Sequence, residues 1–163
     1  MYNQFKGAYV ITEPIGKLDM SLTEADTRAK LIDPSLHSRG WTEDLIHREE
    51  TEQGIYIIDG KPKRRQRGRT DYLLRIRVNI STQPVAVALI EAKRSDELSD
   101  KGLEQAKEYA RLNHVPFVYS SNGHLFTEYD CFTGKTTAPS PLEEFPTPEE
   151  LRLRYKRGTG FSL

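Results

Sequence analysis

A continuous apolar run at 85–90, Val-Ala-Val-Ala-Leu-Ile, is the feature that most limits how this chain can fold. A half-exposed strand alternates apolar and polar residues, so an unbroken run is typical of a central strand covered on both faces. The segment 99–113 then carries apolar residues in helical order: Leu103, Ala106, Ala110 and Leu112. Residues 115–119 have the composition of a second buried strand. Strand, helix and strand predict a crossover unit, and therefore an α/β fold with helices flanking a mixed central sheet.

One helix is predicted before this unit. Ser21-Leu22-Thr23-Glu24 has the form of a capping box, which marks a helix start. Apolar residues follow at helical spacing: Leu22, Ala25, Ala29 and Ile32. Pro34 interrupts this pattern, so we expect a helix of about three turns that ends there.

Further strands are predicted from β-branched and aromatic composition at 54–58, 71–78 and 125–129, with a weaker signal near 8–11. Asp59-Gly60 and Asn122-Gly123 are turn signals, and the second predicts a hairpin. The residues between the first turn and the next strand, 61–69, contain six cations and no apolar residue, so we expect an exposed loop.

Charge and cysteine content limit the function classes. The chain has 24 basic and 24 acidic residues, so any attraction to DNA must be local. Cys131 is the single cysteine, which excludes an internal disulfide or a multi-cysteine zinc cluster. No apolar run approaches the roughly 20 residues of a membrane helix, and we expect a soluble cytoplasmic domain without a membrane partner. The sequence also lacks a phosphate-binding loop, a His-Glu-x-x-His zinc motif and a Gly-x-Ser-x-Gly elbow.

Acidic and basic residues stand where two predicted strands begin or end. Asp71 opens one strand, and Glu91-Ala92-Lys93 closes the apolar strand. Residues two apart in a strand point the same way, so Glu91 and Lys93 share a face. Two carboxylates brought together there would repel unless a cation lay between them, and hard oxygen ligands suit Mg²⁺. The pattern indicates a site for phosphodiester hydrolysis.

Each part of this pattern also has a structural interpretation. Taken alone, Glu91 and Lys93 are most simply a solvated ion pair, and Asp71 a residue with a local hydrogen bond. Gln105 and Tyr109 stand four apart and could simply stack on one helix face. The functional hypothesis rests on the occurrence of all these residues together in one chain.

The ordered motifs resemble the nuclease motifs of Type I restriction subunits, within the PD-(D/E)xK superfamily. The matching segments, in chain order, are Thr70-Asp71-Tyr72, 87–94, 102–110, Val115-Pro116-Phe117 and Ser121-Asn122-Gly123. The third contains a Gln-x-x-x-Tyr element similar to that of the RecB-like branch. The resemblance covers roughly 22–130, and one departure is Thr70, which stands where the family name places a proline.

The resemblance implies a restriction-endonuclease-like core and a role for each motif residue. Asp71, Glu91 and the backbone carbonyl of Ala92 would be metal ligands, with Lys93 the catalytic lysine. Gln105 and Tyr109 would support DNA or that lysine. Glu24 has two interpretations: an acidic residue near the metal, or the capping-box partner of Ser21.

The cationic segment before Asp71 is a candidate DNA contact, because it could deliver the phosphate backbone to the metal site. Its cations are Lys61, Lys63, Arg64, Arg65, Arg67 and Arg69. The alternative is a solvated hairpin tip. Arg94, next to the lysine, is a weaker candidate of the same kind.

The resemblance also implies a larger assembly. This domain would cut double-stranded DNA, with Mg²⁺, at positions it does not select, after ATP-driven translocation by other parts of the subunit. ATP would bind the full-length subunit and not this chain, and the methyltransferase and specificity subunits would be its partners.

We expect an endonuclease domain at 1–148 and, at 149–163, a linker or helix start leading to a motor domain. The alternatives are a stand-alone repair or resolvase-type nuclease and a catalytically silent DNA-binding or assembly module.

Overall fold

The computed structural model describes residues 20–48 and 70–160, together with the strand backbone at 55–58 and 61–64. The strand predicted near 8–11 lies outside the described residues. The described strands, in chain order, are β1 Ile46–Arg48, β2 Ile55–Ile58, β3 Lys61–Arg64, β4 Tyr72–Ile76, β5 Val85–Ala92, β6 Phe117–Ser121, β7 Leu125–Asp130, β8 Lys135–Thr136 and β9 Ser140–Pro141. The helices are α1 Glu24–Thr27, α2 Asp33–Ser38, α3 Leu103–Asn113 and α4 Pro148–Thr159, with a π-helical segment, Arg28–Ile32, joining the first two.

Seven strands form one mixed sheet in the order β1-β4-β5-β6-β7-β8, with β9 paired to β7. β5 and β6 are parallel, and the other neighbours in this sheet are antiparallel. α3 joins the two parallel strands, as a parallel connection requires. The predicted α/β fold with a mixed central sheet is confirmed.

β5 is covered on both faces, as its apolar run predicts. Ile90 packs in one core with the π-helical segment, α2 and α4, whereas Leu89 packs with α3 on the opposite face. Both side chains are fully buried. The unbroken apolar run follows from this double burial.

α3 confirms the predicted helix, with one error about its buried face. Leu103, Ala106 and Ala110 are buried. Leu112 is 64% exposed. A residue two positions after Ala110 lies about 200° further around an α-helix, so it cannot share that face.

The predicted start and end of the first helix are both wrong. The cap is Thr23, whose hydroxyl accepts a hydrogen bond from the Asp26 N–H at 3.1 Å, and not the pair Ser21 and Glu24. Pro34 does not end the helix, because α2 continues to Ser38. Before the proline the ladder widens to i→i+5 bonds, so α2 restarts with Pro34 in its first turn, where an N–H is not needed.

The loop expected at 61–69 is partly wrong. Lys61–Arg64 is a strand that pairs antiparallel with β2, with Ile58 opposite Lys61. Pairing with β2 stabilises a segment of low strand propensity through backbone hydrogen bonds. Residues 65–69 lie outside the described residues.

The last described helix, α4, packs on the sheet. It starts with a capping box made by Thr147 and Glu150, and its Leu151 is fully buried. Arg154 donates hydrogen bonds to Glu128 on β7. The helix start expected from 149 onwards is therefore packed against the sheet, and the motor domain beyond it stays a prediction. No helix in the described ranges is long and apolar enough to cross a membrane.

Candidate active site

Two buried carboxylates face each other where β4 and β5 meet. The antiparallel register pairs Tyr72 with Ile90 and Leu73 with Leu89, and one further step places Asp71 opposite Glu91. Both are nearly inaccessible, at 5% and 8% exposure. Burial, and secondarily the charge of Asp71, raise the pKa of Glu91 to about 6, although Lys93 opposes the shift. The pairing that the sequence predicts is present.

Lys93 lies beside this pair. Its Nζ is 3.2 Å from Glu91 Oε1, and its side chain is 13% exposed. Its backbone N–H donates to the Ser121 carbonyl at 2.8 Å, beyond the end of β5. The two residues share a face, as strand geometry predicts.

Both oxygens of Asp71 accept hydrogen bonds. Oδ1 accepts from Arg28 Nη1 at 2.7 Å, and Oδ2 accepts from the Ala92 N–H at 2.8 Å. Arg28, which precedes Asp71 by 43 positions, is not among the site residues predicted from the sequence. The only signal for it is general: a buried carboxylate needs a cation or several donors.

Glu24 lies near the site. Its Oε1 is 3.9 Å from Lys93 Nζ. The capping alternative is excluded, because Thr23 is the cap. Glu24 is at the first position of α1, and its role as a metal ligand stays a prediction.

The start of α3 closes over the site with no room for a side chain at Gly102. A Cβ there would lie 2.6 Å from both Glu91 Cγ and Lys93 Cε. The Gly102 N–H donates to Ser120 Oγ at 3.2 Å, and Ser120 lies next to Glu91 in the β5–β6 register. Glycine is therefore required for this close approach.

The loop after β6 supports the site from the other side. Gly123 adopts φ +87°, and a Cβ there would lie 2.8 Å from Thr27 Cγ2 and 2.7 Å from Leu31 Cδ1. Asn122 Nδ2 donates to the Glu97 carbonyl at 2.8 Å. The loop thus fixes the first helical region against the ends of the central strands, and the predicted hairpin turn is confirmed.

Comparison with known proteins finds a relative with a similar sequence. No family model matches the sequence. The Type I restriction enzyme EcoAI endonuclease subunit of Escherichia coli is 33% identical over 158 residues, which cover 91% of this chain and 18% of that subunit. The chain is homologous to Type I restriction endonuclease subunits.

A solved structure agrees with this homology to the Type I subunits. It is a fragment of an HsdR subunit of a type I restriction enzyme from Vibrio vulnificus YJ016, 33% identical, with a TM-score of 0.70. The match covers 88% of this chain and 27% of the solved one. The chain thus spans well under a third of either relative, and the family resemblance found in the sequence is confirmed.

The Gln-x-x-x-Tyr element of this Type I homologue lies on α3. Gln105 is exposed, whereas Tyr109 is half-buried against the core that contains Leu89. Support of DNA or of Lys93 by these two residues stays a prediction.

The predicted basic DNA contacts are only partly described. Arg94 donates to Ser21 Oγ at 2.7 Å and to Asp96 Oδ1 at 3.1 Å. Lys61, Lys63 and Arg64 lie in β3. Arg65, Arg67 and Arg69 are outside the described residues, and DNA contact by all these cations stays a prediction.

The donor set fits a magnesium ion. Within 20–48 and 70–160, no cluster of three or more His, Cys, Asp or Glu side chains has metal-binding geometry. Mg²⁺ commonly uses only one or two carboxylates and completes its octahedron with waters and substrate phosphates. The buried Asp71–Glu91 pair matches that requirement.

Proposed function

We propose that this chain is a Mg²⁺-dependent nuclease domain that hydrolyses phosphodiester bonds of double-stranded DNA. One observation carries the proposal: two buried carboxylates at adjacent strand positions, with the Lys93 ammonium 3.2 Å from one of them. The E. coli relative is named an endonuclease subunit, which supports nuclease chemistry in the family.

Asp71, Glu91 and the backbone carbonyl of Ala92 would hold the metal. Two buried carboxylates repel each other, and the pKa of Glu91 is raised mainly by burial and secondarily by the charge of Asp71. A divalent cation between them removes the repulsion. When bound, Mg²⁺ would polarise the scissile phosphate and acidify a water molecule.

Lys93 would act on the reacting phosphate. It is held at the strand end by its backbone hydrogen bond to Ser121 and by its ion pair with Glu91. In a site with little water, an ammonium interacts strongly with charge that develops nearby. We assign to it orientation of the attacking water or stabilisation of negative charge on the phosphate.

Cations that directly precede Asp71 in the sequence, together with Arg94 next to Lys93, would hold the DNA backbone. Phosphate contacts position a duplex without reading its sequence. In this proposal the contacts come from Lys63, Arg64, Arg65, Arg67, Arg69 and Arg94, with support from Gln105 and Tyr109.

We further propose that the domain works inside a Type I restriction complex. ATP-driven translocation would be carried out by other parts of the subunit, and the methyltransferase and specificity subunits would select the DNA. Cleavage would then fall at positions that this domain does not choose. The match to 18% of the E. coli subunit supports a division of labour of this kind. The proposed complex would act in the cytoplasm.

The decisive experiment is Mg²⁺-dependent plasmid cleavage, by this chain at high concentration and by the full-length subunit in its complex with ATP. Asp71→Ala, Glu91→Ala and Lys93→Ala should each lower the rate at least about 100-fold, the scale of losing a preorganised charge in an active site. Glu108→Ala is the matched control, because its exposed carboxylate pairs with Arg111 on α3.

The three variants must fold and bind DNA as the wild type does. Circular dichroism measures the folding, and filter binding measures the affinity for DNA. Normal cleavage by the substituted complexes would reject the metal-site assignment and favour an assembly or DNA-binding module. Cleavage by the domain that does not depend on ATP or partner subunits would instead favour a stand-alone nuclease.

A further inference from the structure

The contact between Arg28 and Asp71 occupies an oxygen that the proposed metal would need. Arg28 Nη1 lies 2.7 Å from Asp71 Oδ1, while Asp71 Oδ2 accepts the Ala92 N–H. The carboxylate is 7% exposed and the arginine side chain 26% exposed. A guanidinium therefore reaches from the surface into the buried site and neutralises Asp71.

The π-helical segment aims Arg28 at this position. Its wide turn is closed by a hydrogen bond from the Asp33 N–H to the Arg28 carbonyl. Residues five apart lie about 140° apart around an ordinary α-helix, whereas a π turn brings them to one side.

The two residues that the π turn aligns contact consecutive residues at the start of β4. Arg28 bonds Asp71, and Asp33 Oδ1 accepts the Tyr72 hydroxyl at 2.8 Å. Arg48 also bonds Asp33, at 3.1 Å, which fixes that end of the turn.

We propose that Arg28 is a displaceable counter-ion that couples metal loading to DNA binding. Without DNA, Arg28 pairs with Asp71 and opposes entry of a divalent cation. The single charge of the guanidinium and the two charges of the cation would otherwise lie beside one carboxylate and repel each other. When a duplex binds, the guanidinium transfers to a backbone phosphate, for which its forked donors are well suited. Asp71 Oδ1 is then free for the metal. This inference rests on the proposed function and adds regulation of the same site.

The coupling is reciprocal, so it can be measured from the metal side. Ca²⁺ is the probe, because it takes oxygen ligands as Mg²⁺ does. Its affinity is measured by isothermal titration for the wild-type chain and for Arg28→Gln, each with and without a short duplex. Arg111→Gln is the matched control, since Arg111 is exposed and pairs only with Glu108 among the described residues.

Without DNA, Arg28→Gln should bind Ca²⁺ about tenfold more tightly than wild type, within the usual range of coupling between sites. The duplex should tighten Ca²⁺ binding about tenfold in wild type and Arg111→Gln, and less than about threefold in Arg28→Gln. Equal or weaker Ca²⁺ binding by folded Arg28→Gln would overturn the inference and leave Arg28 as a positioning residue for Asp71.

Two further outcomes are distinguishable. Absence of Ca²⁺ binding by every protein, with and without DNA, would reject the metal site itself and the proposed function with it. If Arg28→Gln does not fold, Arg28→Lys is tested in its place. Lysine retains the positive charge but cannot donate two parallel hydrogen bonds to a phosphate as arginine does. The duplex should then tighten Ca²⁺ binding less than in wild type, and an unchanged factor would overturn the proposal.

Discussion

Two buried glutamates on the sheet, Glu91 and Glu128, have contrasting surroundings. Glu128 accepts hydrogen bonds from Arg154 to both of its oxygens, at 2.9 and 2.7 Å, and another from the buried Tyr119 hydroxyl. Glu91 accepts one from Lys93 and faces a second carboxylate, Asp71. In the first site the fold supplies a donor to each oxygen of the glutamate, whereas in the second Glu91 accepts a hydrogen bond from Lys93 at one oxygen and Asp71 is paired with Arg28. The contrast distinguishes the Glu128 cluster, which has a structural role, from the Glu91 cluster, which we propose binds a metal ion.

The largest expected effect comes from breaking the structural cluster. Arg154→Ala would leave Glu128 and Asp130 without their cation and should lower the free energy of unfolding by about 3–5 kcal/mol. Urea denaturation measures it. Arg152→Ala, which removes an exposed pair with Glu149, should cost under about 1 kcal/mol. Similar losses for both variants would show that the Glu128 cluster contributes little.

Overpacking beside the Glu91 site, compared with overpacking at a position on α4 away from it, sharpens the comparison. A Cβ on Gly102 would meet Glu91 and Lys93, and a Cβ on Gly158 of α4 would lie 2.3 Å from Phe132 Cδ2. Gly102→Ala and Gly158→Ala should each lower the free energy of unfolding by about 1–3 kcal/mol. Only Gly102→Ala should also weaken Ca²⁺ binding, and an equal effect of both substitutions on Ca²⁺ would show that the binding does not report on the Glu91 site.

The smallest expected effect is a pH dependence of the Glu91 site. Because the folded pKa of Glu91 is raised from 4.5 to about 6, its contribution to stability is complete below pH 4.5 and is lost as the pH rises through 6. In metal-free buffer, wild type should lose about 1–2 kcal/mol across this window relative to Glu91→Gln. Denaturant melts at pH 4.5 and 7 give the difference, and Mg²⁺ at pH 7 should restore part of the loss in wild type only. Parallel pH profiles for the two proteins would contradict the raised pKa.

Patterns within the chain predicted most of the fold. The unbroken apolar run required a strand buried on both faces, and the helix that follows it required a parallel neighbour. The errors came where local signals competed. Ser21 and Thr23 each stand three residues before an acidic residue, and in the structure Thr23 is the cap. Pro34 is a helix breaker in isolation, but the π turn before it lets the helix continue.

The sequence by itself determined the central strand and the Glu91–Lys93 face, because the alternation of a strand needs no knowledge of the rest of the molecule. It also placed Asp71 at the start of a strand, which in the structure begins one residue later at Tyr72, although it did not determine which neighbour faces Asp71. Tertiary structure alone decided the Asp71–Glu91 register, the closure of Gly102 over the site and the contact of Arg28 with Asp71. These depend on the packing of segments far apart in the chain, and no local pattern encodes the distance between two side chains brought together by the core.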